Sequence, residues 1–434
     1  MFMPLTSKRV LVLAAAALEL LACSSTSDPT STSSAGASVS PTAGAGASAG
    51  GASGAPGSTG GTPSAGGALA GGSANQGGAF ANGGAPASGG ALTSGGAVGV
   101  GGGAGSSAAG AAGAAGGGST ANCAVAPIDP SATAEAKKLL CYLYSIYGAK
   151  VLSGQQETSW SNPQSDIDYY VQTVSKHPAI LGGDYLYTDG AKPGNNTSTR
   201  AQAYWNAGGL TMIRYHMGAP PLADTYDNSK GTVANFDNLT KTGTAENTSL
   251  LSKLDYMAGE LKFLQDAKVP VILVPYHEID KNAWFWWSKC TGAQFVTLWK
   301  YTLDYLMKTK GIHNVLWTIG YGHDGAMTDF WPGKAFADLG GIDQYDKGTQ
   351  PFANLYTGTK AVVGATIPIP LHETGTIPQP SAMFPTAAPW LMWNVWATYQ
   401  NTAAEGYTWN TADTIKTAYA DSHTITRETL PNLK

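Results

Sequence analysis

Apolar residues form two kinds of pattern between residues 122 and 434. Eight short runs are apolar almost without interruption, which is typical of parallel strands that are buried on both faces. The predicted strands cover residues 150–154, 179–185, 210–216, 270–277, 314–320, 340–345, 367–373 and 390–396. Helical periodicity fills the intervals, most clearly at 250–267, where Leu254, Met257, Leu261 and Leu264 share one face. Further helices are predicted at 131–147 and 293–310.

Eight strands that alternate with helices predict an α/β fold, the (β/α)8 or TIM barrel. The alternative is an open, doubly wound sheet. That fold usually carries a glycine-rich phosphate turn after its first strand. Here the first strand runs into Ser153-Gly154-Gln155-Gln156-Glu157, which does not fit that turn. The barrel is therefore the favoured prediction.

Composition separates this region from everything before it. No Asp, Glu, Lys or Arg occurs between Asp28 and Asp129, and all twelve tryptophans lie after residue 121. We therefore divide the 434 residues into a leader at 1–22, a Gly/Ala/Ser-rich segment at 23–121 and the barrel domain at 122–434.

The leader has the pattern of an export signal. Lys8 and Arg9 precede an apolar stretch that ends in Leu20-Leu21-Ala22-Cys23. This ending resembles a bacterial lipobox, which implies that Cys23 is lipidated after cleavage. We expect an exported lipoprotein at the cell surface or outer membrane, with ordinary secretion as the alternative.

The Gly/Ala/Ser-rich segment has almost no aromatic or charged residue. Such a composition buries too little apolar surface to offset chain entropy, so we expect a disordered tether. The formal net charge of −4 predicts no nucleic-acid partner. The expected contact with a membrane is through the N-terminal lipid, and we expect a monomer.

Four cysteines are too few for a disulfide scaffold. Cys123 and Cys141 flank the start of the first predicted helix and could staple the N-terminal segment, since export permits disulfides. Cys290 would then be left over.

Candidate catalytic residues stand where two predicted strands end. The dipeptide His-Glu occurs at His277-Glu278 and at His372-Glu373, on the fourth and seventh strands. In a barrel these ends meet at the catalytic face. Two carboxyl groups that face each other there suit glycoside cleavage, in which one protonates the leaving oxygen and the other attacks the sugar or activates water.

Aromatic residues favour a sugar substrate. Trp284-Phe285-Trp286-Trp287 follows the first glutamate within a short loop, where four consecutive aromatic side chains cannot all face the core. We expect Trp284 to contact sugar and leave Trp286 and Trp287 open between core and groove. Trp299 and Trp317 lie within a predicted helix and a predicted strand, so we expect both in the core.

Together these motifs resemble glycoside hydrolase family 26 over residues 131–431. The matching segments include the two His-Glu dipeptides with their flanks, the aromatic run and the close of the chain. They are Val151–Gln156, Pro178–Asp184, Tyr215-His216-Met217, Pro275-Tyr276-His277-Glu278, Trp284–Trp287, Asp343-Gln344-Tyr345, Glu373-Thr374-Gly375 and 424–431.

The resemblance implies a retaining endo-β-1,4-mannanase that needs no metal or cofactor. By position, Glu278 would be the general acid/base and Glu373 the nucleophile. The residues implied at the substrate are Asp184, His216, His277, Trp284, Tyr345 and Trp396, with Tyr345 also bonded to the nucleophile. A protonated Glu278 would require a raised pKa.

The chain departs from the family pattern around the sugar sites. Val274 replaces a family arginine that supports the carboxylates, and we hypothesise that Arg214 on the neighbouring strand substitutes for it. Residues 281–283 and Ser288 also differ. Three alternatives therefore stay open: a mixed-linkage β-glucanase, a β-1,3-xylanase, and a non-catalytic polysaccharide-binding lipoprotein.

Overall fold

The computed structural model describes residues 123–157, 163–186, 193–280, 284–323, 325–348, 350–385, 387–397, 399–400, 403–404 and 407–434. The predicted leader, the tether and the lipidation site Cys23 lie outside these residues and stay predictions. In the described part of the chain, no helix is both long and apolar enough to cross a membrane.

The core of the domain is a closed barrel of eight parallel strands. These are β2 (Gly154–Gln156), β3 (Ile180–Asp184), β4 (Leu210–Arg214), β5 (Val271–Val274), β6 (Val315–Tyr321), β7 (Leu339–Gln344), β8 (Leu371–Thr374) and β9 (Trp393–Val395). Each strand pairs with its neighbour in sequence, and β2 closes the barrel on β9 through Gln155 and Val395. The predicted (β/α)8 barrel is confirmed, and the open sheet is wrong.

The first predicted strand is misplaced by a few residues. The apolar pair Val151–Leu152 forms a separate short strand, β1, which pairs with β12 (Thr424–Ile425). Ser153 then turns the chain, because both its amide and its hydroxyl donate to the carbonyl of Ile425. The first barrel strand is consequently the more polar segment Gly154–Gln156.

Helices surround the barrel. They are α1 (Ala134–Ile146), α2 (Pro163–Val174), α3 (Pro193–Asn206), α4 (Tyr226–Ser229), α5 (Ala245–Asp266), α6 (Gly292–Asp304), α7 (Ala353–Val363), α8 (Pro380–Met383) and α9 (Ala412–Ala420). Three of them, α1, α5 and α6, lie at the positions predicted from the sequence. A short ribbon joins β10 (Ala403–Ala404) to β11 (Tyr407–Thr408). Thr244 caps α5, and Thr291 with Gln294 forms a capping box that begins α6. Beyond Asp304 the helix continues as one π turn, Tyr305–Thr309.

A disulfide fastens the start of the domain to its first helix. Cys123 bonds Cys141 with the Cα atoms 5.7 Å apart, as the sequence allowed, and Cys290 is a free thiol. Asp338 accepts hydrogen bonds from the amides of Ile128 and Trp317, which ties the same segment to the barrel. The N-terminal segment is thus part of the folded domain from residue 123 onward.

Candidate active site

The two predicted glutamates lie at the same end of the barrel, on nearly opposite walls. Glu373 is within β8, and Glu278 follows β5 by four residues. Both side chains are largely buried, with 5% and 8% exposure. The backbone of Glu278 has φ of +50°, a left-handed conformation that costs energy in a residue other than glycine. Strain of this kind recurs at functional sites, where surrounding contacts hold it.

Glu373 has a hydrogen-bond donor on each oxygen. Tyr345 donates its hydroxyl to Oε1, and Arg214 donates Nη1 to Oε2. The second arm of Arg214, Nη2, donates to the carbonyl of His372 at 2.7 Å. The guanidinium is fully buried and also lies 5.1 Å from the ring centre of Trp396. Glu373 is therefore held as an acceptor, the form that a nucleophile requires.

Arg214 lies directly opposite Val274, the position at which the family arginine is missing from this sequence. It pairs directly with Val274 across β4 and β5. An arginine on one strand therefore stands beside the position where the family arginine was expected on the next. The hypothesis that Arg214 supports the carboxylates agrees with this geometry.

Glu278 is in a different electrostatic state. Burial, followed by the charges of Asp343 and Glu373, raises its pKa well above the usual range. The indole Nε1 of Trp284 donates to Oε2 at 2.6 Å, which opposes the rise without reversing it. The direction of this shift favours the protonated form of Glu278, which is the form that a general acid requires.

Three further predicted residues form one chain beside Glu278. Asp184 Oδ2 lies 2.5 Å from His216 Nδ1, and His216 Nε2 lies 3.0 Å from His277 Nε2. All three side chains are buried. Burial, then the electrostatic effect of the neighbouring His216 and Arg214, lowers the pKa of His277 well below its usual value, which favours a neutral imidazole. The chain orients His277, the histidine that directly precedes Glu278.

The tryptophans of the aromatic run divide sharply. Trp284 is 53% exposed, as expected for a residue that meets sugar. Trp286 and Trp287 are fully buried and donate their indole N–H groups to the carbonyls of Met217 and His277. The choice that the sequence left open for these two is thus decided for the core, because the loop turns inward and their indole groups bond the backbone there.

The other predicted aromatic residues lie as expected. Trp299 and Trp317 are in the core, and their rings meet edge to face at 6.1 Å. Trp396 is partly buried, with its ring centre 6.2 Å from that of His216. Every predicted site residue among the described residues thus reaches the mouth of the barrel.

The structure adds residues to which the sequence gave no role. Asp343 and His372 are fully buried beside the glutamates. The sequence marked them only as members of the segment Asp343-Gln344-Tyr345 and of the second His-Glu dipeptide, without a role of their own. Tyr226, 41% exposed, follows β4, and its ring centre lies 5.5 Å from that of His216. Lys230 lies near the rings of both Tyr226 and Trp284, at 4.2 and 5.8 Å. The segment that contains Tyr226 and Lys230 has no apolar periodicity, so the sequence analysis did not identify it.

The loop that carries Tyr226 is firmly anchored. The buried ammonium group of Lys253, on α5, donates to Asp224 Oδ1 at 2.6 Å and to the carbonyl of Leu222 at 2.8 Å. Asp224 also accepts from the hydroxyl of Tyr215. Tyr226 and Trp284 therefore form a fixed aromatic rim on the side of Glu278.

Asp343, His372 and Glu373 are the set that could hold a metal ion among the described residues, since their ligand atoms lie within 4.8 Å of one another. Both oxygens of Glu373 already accept hydrogen bonds from Tyr345 and Arg214. A cation would have to compete with a guanidinium for the same carboxylate. The observed contacts therefore favour proton chemistry over metal binding at this cluster.

Comparison with known proteins agrees with the geometry. Residues 128–429 match the model of glycosyl hydrolase family 26. A mannan endo-1,4-beta-mannosidase of Thermothelomyces thermophilus is 30% identical over 314 residues, which cover 69% of this chain and 62% of that protein. Two Piromyces mannan endo-1,4-beta-mannosidases are matched over 48% and 42% of their length, so the chain spans about half the length of such curated relatives.

Solved structures show the same barrel. GH26A from Muricauda sp. is 27% identical with a TM-score of 0.63, and the match covers 69% of this chain and 99% of that one. A beta-mannanase from a symbiotic protist of the termite Reticulitermes speratus, complexed with gluco-manno-oligosaccharide, is 26% identical with a TM-score of 0.62. That match covers 70% of this chain and 97% of the other.

Proposed function

Because the chain belongs to glycosyl hydrolase family 26, we propose that it is a retaining, endo-acting hydrolase of β-1,4-mannosidic bonds in mannan-type polysaccharides. The observation that carries this proposal is the asymmetry of the two glutamates. Burial and the neighbouring carboxylates raise the pKa of Glu278 and so favour its protonated form, whereas both oxygens of Glu373 accept hydrogen bonds. A glycosidase that works by double displacement requires this division between acid and nucleophile.

In the first step, Glu373 attacks the anomeric carbon while Glu278 gives its proton to the departing oxygen. Arg214 and Tyr345 hold the nucleophile in position through its two oxygens. The step forms a glycosyl ester on Glu373 and removes its negative charge.

That loss of charge prepares the second step. The charge of Glu373 is one of the causes that raise the pKa of Glu278. Once Glu373 is esterified, Glu278 loses this cause and holds its next proton less tightly. It can then act as a base toward the water that cleaves the ester, with overall retention of configuration.

The substrate assignment rests on the relatives and on the aromatic rim. The curated relatives are mannan endo-1,4-beta-mannosidases, and one structural neighbour holds a gluco-manno-oligosaccharide. Trp284 and Tyr226 offer flat rings on the side of Glu278, where the leaving sugar would lie. His216 and Trp396 lie further inside, where they would meet the sugar that Glu373 attacks.

The test is to incubate the full-length protein with mannan, glucomannan, mixed-linkage β-glucan and β-1,3-xylan in turn. Hydrolysis of each is measured as the release of reducing ends. We expect mannan and glucomannan to be cleaved, and Glu278→Ala and Glu373→Ala each to lower kcat by at least about 10³-fold. Glu135→Gln, on α1 away from the barrel mouth, is the matched control.

The variants also distinguish the roles of the two glutamates. Azide should restore activity to Glu373→Ala with inversion of configuration, whereas Glu278→Ala should remain active on aryl glycosides whose leaving group needs no proton. Undiminished cleavage of mannan without azide in both alanine variants would refute the catalytic assignment. Cleavage of mixed-linkage glucan or of β-1,3-xylan alone would replace the mannanase proposal by the corresponding alternative.

We further propose that the protein is exported and anchored through a lipid on Cys23. The positive residues, the apolar stretch and the Leu20-Leu21-Ala22-Cys23 ending support this proposal. A single segment at 23–121, in which Asp28 is the one charged residue, would then separate the anchor from the enzyme. Expression in a bacterium with labelled fatty acid should label the wild type and not Cys23→Ser. Equal labelling of both would refute lipidation at this residue.

A further inference from the structure

The chain that carries Glu278 is attached to the neighbouring strand after β5 has ended. The amide of Ile279 donates to the carbonyl of Gly320, within β6, at 3.2 Å. The amide of Gly322, directly after β6, donates to Oδ1 of Asp280 at 2.8 Å. The second bond uses a carboxylate where two paired strands would use a backbone carbonyl. A side chain therefore continues the attachment between the two strands past the acid/base.

This attachment lies next to a strained residue. Glu278 has φ of +50°, a left-handed conformation that persists in a residue other than glycine only where the surroundings hold it. Before Glu278, the indole of Trp287 donates to the carbonyl of His277 at 2.6 Å. After it, the bonds of Ile279 and Asp280 fix the chain to the next strand. The strained backbone is therefore held from both sides.

The space around the carboxylate of Asp280 depends on a glycine. Both Asp280 and Gly322 are buried. A Cβ atom on Gly322 would lie 2.5 Å from Asp280 Oδ1 and 3.1 Å from Oδ2, and its nearest neighbours all belong to this one side chain. The backbone of Gly322 is not left-handed, so its conformation alone does not require glycine. A methyl group at this position would displace the carboxylate that accepts the hydrogen bond.

From these contacts we infer that Asp280 is a positioning residue for the acid/base. Its carboxylate accepts the amide of Gly322, and this bond keeps the strained backbone of Glu278 where its carboxyl group reaches the leaving oxygen. Asp280 takes up and gives no proton in either step of the reaction. It acts through the backbone, and the inference rests on the proposed role of Glu278 as the general acid.

The expected size of the effect follows from how acid catalysis depends on position. A general acid contributes about 10²–10⁴-fold to the rate, and a misplacement of about 1 Å can cost about 10²-fold. Loss of the bond to Gly322 leaves Glu278 in place as a residue but lets its backbone relax. The result should be a partial loss of acid catalysis, smaller than the loss caused by Glu278→Ala.

Two substitutions of Asp280 separate the hydrogen bond from the charge. Asp280→Ala removes both, and we expect kcat/KM on mannan to fall by about 10–100-fold. Asp280→Asn removes the charge but keeps an oxygen that can accept from Gly322, so its kcat/KM should stay within about fivefold of wild type. Equal losses in the two variants would show that the charge is what matters and would overturn the inference.

A substrate that needs no acid distinguishes positioning from a general loss of folded enzyme. On 2,4-dinitrophenyl β-mannobioside the leaving group departs without a proton, and kcat/KM reports the first step. Asp280→Ala should lower this value by less than about threefold, although it lowers the value on mannan far more. Equal losses on the two substrates would indicate a merely structural role and would refute positioning of the acid.

Gly322→Ala provides an independent perturbation of the same bond. In the wild-type background it should lower kcat/KM on mannan and spare the aryl substrate, because the new methyl group displaces the carboxylate of Asp280. In the Asp280→Ala background it should add less than about twofold, since the atoms that it would meet are gone. Additive losses would contradict the inference. Gly259→Ala, on α5, is the matched control, because a Cβ atom there meets nothing within 4 Å.

A measurement without substrate keeps this inference separate from the proposed function. Hydrogen exchange at the amide of Gly322 should be at least about tenfold faster in Asp280→Ala than in wild type, and slow in Asp280→Asn. Equal exchange in all three proteins would overturn the inference even if the enzyme is a mannanase. Full activity of Glu278→Ala would refute the proposed function and leave the exchange result unaffected. If Asp280→Ala does not fold, Gly322→Ala takes its place in the substrate and exchange measurements.

Discussion

Replacing Arg214 by alanine removes the cation from a pair of buried groups and leaves Glu373 with one donor, Tyr345. A hydrogen bond to a charged partner contributes about 1.5–3 kcal/mol. If that bond to Glu373 is needed in the transition state, its loss lowers kcat roughly 10–150-fold. Removal of one partner of a buried ion pair also lowers the free energy of unfolding by about 3–5 kcal/mol.

The two effects are measured separately. Steady-state kinetics on soluble mannan gives kcat and the pH profile of kcat/KM, and urea denaturation gives the free energy of unfolding. Arg214→Lys should recover only part of the loss, since a single ammonium group cannot reach both Glu373 and the carbonyl of His372 as the fork of Arg214 does.

Arg200→Ala is the matched control. Arg200 also forms a pair with a mostly buried glutamate, Glu157, just beyond the end of the first barrel strand, but it does not touch Glu278 or Glu373. We expect this variant to lose stability without the loss of kcat. If Arg214→Ala leaves both turnover and the pH profile unchanged, the reasoning about Arg214 is wrong.

Three other predictions concern the aromatic loop and the stability of the domain. Trp287→Ala should lower the free energy of unfolding by about 3–5 kcal/mol in urea, whereas Trp284→Ala should leave it nearly unchanged and lower activity; equal stability losses would contradict the observed burial. Replacing both Cys123 and Cys141 by serine removes a disulfide that joins residues 18 positions apart, and should lower the free energy of unfolding by about 3 kcal/mol. The same urea denaturation of reduced wild type should give a similar loss. Burial raises the pKa of Asp338 to about 7, so the folded protein binds a proton there that the unfolded chain releases near pH 4. This contribution lowers stability as pH rises from about 4 to 7. The midpoint temperature of thermal unfolding should therefore fall less steeply with pH in Asp338→Asn than in wild type. Parallel dependences on pH in the two proteins would argue against a raised pKa at Asp338.

The barrel could be predicted because its strands are buried on both faces and therefore read as continuous apolar runs. The exception is instructive. Val151 and Leu152 are the most apolar residues near the first strand, yet they pair with β12, and the barrel uses Gly154–Gln156 instead. The polar residues of that segment find partners inside the barrel, as Gln155 does with Tyr170. Apolar periodicity has no means of anticipating such partners.

The site could be predicted only in part. Glu278 and Glu373 were evident because each ends a strand beside a histidine. The burial of the aromatic side chains in the loop after Glu278 could not be predicted, because a loop has no periodicity that shows which side chains turn inward. Trp286 and Trp287 are buried since their indole N–H groups find carbonyls at Met217 and His277, residues that only the fold brings near.

The sequence by itself determined which chemical groups meet at the mouth of the barrel, since residues at the ends of parallel strands must converge there. Only the tertiary structure decided which charged and polar neighbours surround each of these groups. Arg214 is 159 residues from Glu373, and Tyr321 is 51 from His372. A pKa or a tautomer depends on burial and on neighbours a few ångströms away, and those neighbours are chosen by the closure of the barrel rather than by the order of the chain.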